Sequence, residues 1–154
     1  MGATMRAMVV CAGLIFAVPA MAGNDFPLSC HGWNGSITSK SGIDTRYAVI
    51  EGIVAKSDIE EYCERMGAND LDSPKGKRAI RKCIRETVLG NIGEKIISMA
   101  DCRTGKLTFK RKGDIIFLKF PLADGTETAC ATGLPSLIEQ FKILCPTKGS
   151  SMPE

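Results

Sequence analysis

Motifs that would announce a chemistry are missing from this chain. It has no C-x-x-C, which argues against a thioredoxin-type redox pair or a zinc knuckle, and no C-x-x-C-H for covalent haem. No serine nucleophile elbow, phosphate loop or H-E-x-x-H occurs. Histidine and tryptophan appear once each, as His31 and Trp33. Charge is nearly balanced: the formal net charge is +3, or +2 once Arg6 is set aside with the leader discussed next, too little to imply a nucleic-acid partner. There is no internal repeat and no low-complexity stretch.

What is present begins with an address. Arg6 precedes an apolar run from Ala7 to Val18, then Pro19, then Ala20-Met21-Ala22. The run is shorter than the roughly twenty residues a membrane span needs, and small residues at Ala20 and Ala22 suit signal peptidase. Residues 1–22 therefore read as a cleaved signal peptide, residues 23–146 as one domain, and residues 147–154 as a disordered polar tail. Bulky Val10 before Cys11 argues against lipid attachment. No later stretch approaches membrane length, so no integral membrane segment is expected after cleavage.

Beyond the leader six cysteines remain: Cys30, Cys63, Cys83, Cys102, Cys130 and Cys145. An even count in an oxidising compartment predicts three disulfides, whose pairing sequence alone leaves open. One pair can be argued. Ser57 and Glu60 offer a capping box for a helix that Gly67 would end in a left-handed turn. Ser73-Pro74 opens a second helix that Gly90-Asn91 would stop. Ile59, Tyr62, Cys63 and Met66 share one face of the first, and Ile80, Cys83, Ile84 and Val88 one face of the second. Both cysteines point into one helical hairpin, which favours Cys63–Cys83.

The remaining elements follow from alternation and punctuation. Residues 33–54 read as a hairpin ending in the strand RYAVIEGIV. EKIISMADC, KLTFKRK and IIFLKF read as a three-stranded meander, and TACAT around Cys130 as a short fourth strand. Residues 135–145 form a closing helix that Pro146 stops. The expected fold is α+β: a small antiparallel meander sheet packed by about three helices and stapled by three disulfides.

Candidate site residues are few. Imidazole side chains serve as general bases and metal ligands, so His31 is a candidate for either, but it has no identified nucleophile or orienting acid. The preferred reading of CHGWNG is structural: Cys30 fastens the N-terminal segment and Trp33 lays its ring on the core. Asn34-Gly35-Ser36 matches the glycosylation triplet and reads as a turn. Arg78, Lys82 and Arg85 form a basic stripe that could meet an anionic envelope component or an acidic protein, although acidic Asp58, Glu60, Glu61 and Glu64 crowd the preceding helix. Neither Glu60-Glu61, Asp70 with Asp72, nor Asp124 with Glu127 is singled out as the facing carboxyl pair that glycan hydrolysis needs.

GIVAKSDIEEYCER, KCIRE and ADCRTGKL resemble segments of small, uncharacterised, cysteine-containing exported proteins of alphaproteobacteria, over residues 52–107. The resemblance implies a periplasmic address, and carries no activity and no site residue with it. The expectation is a small periplasmic or secreted binding or inhibitor-like protein, non-catalytic and without a cofactor or metal. Its partner would be an envelope protein or an anionic envelope component. The alternatives are a cell-wall glycan hydrolase using a carboxylate pair and a thiol-redox protein.

Overall fold

Along Lys95–Asp101 (β4), buried Ile96, Ser98 and Ala100 alternate with half-exposed Ile97, Met99 and Asp101. Strand side chains point to opposite faces in turn, so one face of a sheet packs on a core and the other does not. The structure, a computed structural model, describes residues 24–67 and 72–152. The expected leader, Asp70 and the last two residues of the expected tail lie outside them.

β4 is the centre of one six-stranded sheet. Asp25–Pro27 (β1), Asn34–Ser41 (β2) and Ala48–Ile53 (β3) precede it; Lys106–Arg111 (β5) and Asp114–Lys119 (β6) follow. Strand order equals chain order and every pair is antiparallel. The expected hairpin and meander merge, because β3 pairs with β4 along its length, from Ala48↔Ala100 to Ile53↔Lys95. Lys112 and Gly113 both take positive φ, +48° and +86°, the geometry of the tight turn that joins β5 to β6.

Two helices, Lys56–Met66 (α1) and Pro74–Asn91 (α2), are inserted between β3 and β4; Leu134–Leu144 (α3) and Pro146–Gly149 (α4) follow β6. α3 packs on the inner sheet face, against β1, β3 and β4. Its Leu137, Phe141 and Leu144 are buried in one cluster with Phe26, Ile50, Ile96 and Leu107. Each such large side chain contributes about 2–3 kcal/mol by leaving water. Gly52 belongs to this layer because the Phe26 ring fills its space: a Cβ there would lie 2.6 Å from Phe26 Cδ2.

Three disulfides join the parts: Cys30–Cys130, Cys63–Cys83 and Cys102–Cys145, with Cα–Cα distances of 5.7, 5.8 and 5.4 Å. The molecule is a small α+β fold with a curled antiparallel sheet and three disulfides.

Local expectations are corrected in several places. α1 starts at Lys56, not after Ser57, because the Asp58 carboxylate takes the Ala55 N–H at 2.7 Å. Gly67 ends it with φ −92°, not left-handed. α2 begins as expected, with Ser73 Oγ accepting from Gly76 N–H, but runs through Gly90 to Asn91, whose side-chain amide donates to Thr87 O. Cys130–Thr132 is a 3-10 turn, not a fourth strand. Asn34-Gly35-Ser36 lies in β2, not in a turn. Residues 147–152 of the expected disordered tail are ordered: Asp44 accepts from the Thr147 N–H and hydroxyl, Lys148 donates to Arg103 O, and Met152 packs on the core.

Candidate functional site

His31 is exposed beside the Cys30–Cys130 bridge, and the donor atoms of the three residues lie within 4.8 Å of one another. In the oxidised chain the two sulfurs are bonded to each other, so the imidazole is the one strong donor there. Trp33 is half-buried, its ring centroid 4.7 Å from that of Tyr62, with the Arg111 guanidinium 6.0 Å from its ring. It joins the N-terminal segment to α1, and its indole N–H has no hydrogen-bond partner among the described residues. Arg111 is fixed in turn by Glu94, whose two carboxylate oxygens accept from it at 3.1 Å each.

The basic stripe on α2 is exposed. Arg78 Nε donates to Pro74 O, and Lys82 stands 3.9 Å from Glu86. The acids of α1 are engaged near home: Glu60 with Lys56, Glu61 with Arg65, and Asp58 with Ser36 and Ala55. Attraction from Glu60, through its hydrogen bond and its charge, raises the Lys56 pKa. None of the ion pairs among the described residues joins α1 to α2, so the acids expected to neutralise the stripe do not reach it.

Among the described carboxylates, Asp101 and Asp124 stand in different surroundings. Asp101 caps its own turn, accepting from the Arg103 and Thr104 N–H groups, with Arg46 at 3.5 Å. Asp124 is the one carboxylate lining a cavity of about 370 Å³ between Phe120, Leu122, Ile138 and Met152.

The feature that sequence reasoning missed is the outer face of the sheet. The pairing of β3 to β6 places Val49, Met99, Thr108 and Phe117 in one cross-strand row. Glu51, Ile97, Lys110 and Ile115 form the next, and Asp101, Lys106 and Lys119 the row beyond. Phe117 is 72% exposed and Ile115 51%. Ile116, on the opposite face of the same strand, is still 41% exposed, at the sheet edge away from β1, β3 and β4, against which α3 packs. Lys95, Lys106, Lys110 and Lys119 are exposed and make no ion pair among the described residues. Lys95, Ile97, Lys110 and Ile115 line a shallow groove of about 230 Å³ beside the β5–β6 turn. The sequence signal was visible in IIFLKF, residues 115–120, the most apolar strand of the meander. It is an edge strand.

No protein-family model, curated protein or solved structure matches the chain.

Proposed function

We propose that this is a small exported binding protein, resident in the periplasm or secreted, that acts without catalysis through the outer face of β4–β6. The observation that carries this reading is Phe117 with Ile115. Burying them would contribute to stability, yet both project into solvent on an edge strand, the usual place for charge or proline. The address is supported by three disulfides, which persist in oxidising compartments. The leader pattern of residues 1–22 and the resemblance to exported alphaproteobacterial proteins point the same way.

The test is site-directed photocrosslinking in the envelope. A benzophenone side chain replacing Phe117 should give adducts, with lipid or with protein, that the same probe at exposed Tyr47 or Arg78 does not. Equal labelling at all three positions, or none at 117, overturns the assignment. A binding role also predicts that the protein releases no fragments from peptidoglycan. Release that is lost on replacing Glu60, Glu61, Asp101 or Asp124 with alanine would instead mark a hydrolase.

A further inference from the structure

We infer that the partner of this face is an anionic phospholipid surface, on which the protein docks peripherally with β6 lowermost. The inference rests on the binding reading above and names its ligand class. Two independent features of the face carry it.

The first is charge complementarity. Lys95, Lys106, Lys110 and Lys119 surround the apolar pair Ile115 and Phe117, and none is neutralised by a neighbour among the described residues. Of the acids on the same face, Asp101 is held by its turn and paired with Arg46, and Glu51 accepts from the Ser39 hydroxyl at 3.0 Å, so the four lysines outnumber them. Lysines on long stems around an exposed aromatic ring match the interface of an anionic bilayer. There the ring enters the acyl boundary while the ammonium groups reach the phosphates. The groove beside these residues is lined by Lys95, Lys110, Arg111 and Lys112, with Asp114 the one carboxylate at its rim, so cations outnumber acids there.

The second is the shape of the edge. Phe117 and Ile115 project from one side of β6 and Ile116 from the other, all substantially exposed. A flat protein partner laid on the outer face would leave Ile116 in water. A bilayer interface surrounds the strand and takes all three. A second copy fits less well. Antiparallel pairing of two β6 edges, with their outer faces on one side, would gather Lys110 and Lys119 of both copies there.

The experiment is flotation of the protein, purified as the cell exports it, with vesicles of phosphatidylcholine alone or with phosphatidylglycerol added. Binding is expected to the anionic vesicles only and to weaken as salt rises. Lys110→Glu with Lys119→Glu should reduce partitioning by about fivefold or more per lysine. Phe117→Ala should reduce it on the order of tenfold. All these positions are exposed, so thermal melts of the variants should match the parent. Absence of binding to anionic vesicles, or binding indifferent to these substitutions, overturns the lipid assignment. Protein adducts from position 117 without vesicle binding would leave the binding role standing and make the partner an acidic protein. A concentration-dependent dimer lost in Phe117→Ala, without vesicle binding, would make it a second copy.

Discussion

The Ser98 hydroxyl donates to Oε1 of Gln140 at 2.9 Å, with both residues fully buried. The same amide donates through Nε2 to the Pro27 carbonyl at 2.7 Å. One side chain on α3 thus ties the central strand β4 to the short edge strand β1, in a core where an unpaired polar group would cost more than the bond contributes.

Gln140→Leu should therefore destabilise the fold by about 2 kcal/mol, since it strands the Ser98 hydroxyl in an apolar layer. Adding Ser98→Ala should recover part of that loss. Urea denaturation of the two single variants and the double variant measures the coupling, and strict additivity would show that the pair does not act as a unit.

The disulfides should differ in reactivity because they differ in access. Cys30 and Cys130 are exposed, whereas Cys63, Cys102 and Cys145 are buried. Under native conditions a dithiol reductant should open Cys30–Cys130 first, and mass spectrometry after alkylation should find two labels, at those positions. Thiols appearing first at Cys102 and Cys145 would contradict the burial. Removing the buried bridges should cost about 3 kcal/mol for Cys63–Cys83 and about 4 kcal/mol for Cys102–Cys145, following their separations of 20 and 43 residues.

Gly105→Ala should be costly despite the small change. Gly105 takes φ +78° in the β4–β5 turn, and a Cβ there would lie 2.1 Å from the Phe120 carbonyl oxygen. That oxygen belongs to backbone, which cannot swing aside. A loss of at least about 1–2 kcal/mol is expected from the left-handed conformation alone, before the clash. A melting temperature equal to the parent's would refute it.

Asp101 sets a pH dependence. Partial desolvation pushes its carboxyl up. The hydrogen bonds from Thr104 and Arg103, and the charge of Arg46, outweigh that, so its pKa lies below the ordinary carboxylate value. A depressed folded-state pKa stabilises the fold above the unfolded value of about 4, and the contribution is lost as pH falls through the folded one. Asp101→Ala should thus melt below the parent at neutral pH, and the gap should narrow in acid below about pH 4. A gap that widens there would reverse the assignment.

The helical hairpin was legible because its signals are local. Ser73-Pro74 marks the start of α2 and the 3.6-residue spacing of Ile80, Cys83, Ile84 and Val88 marks its inner face, whatever the rest of the chain does. The same spacing brought Cys63 and Cys83 towards each other across a short connection. The strands β3 to β6 were legible for a similar reason, from alternation and from the Lys112-Gly113 turn. β1 was not, since three residues hold no period. The fate of residues 147–152 was not legible either, because polar TKGS is anchored by Asp44, which is remote in sequence.

By itself, then, the chain determined its α+β class, its oxidisable cysteines and the hairpin that Cys63 and Cys83 close, all consequences of short-range stereochemistry. Tertiary structure alone decided that Cys30 meets Cys130 across 100 residues and Cys102 meets Cys145 across 43. It also decided that the apolar strand IIFLKF stands at an edge with its outer face uncovered. Hydrophobicity says that a strand would gain by burial, but which strand is left without a neighbour depends on the order in which all six pair and on how far α3 reaches across them.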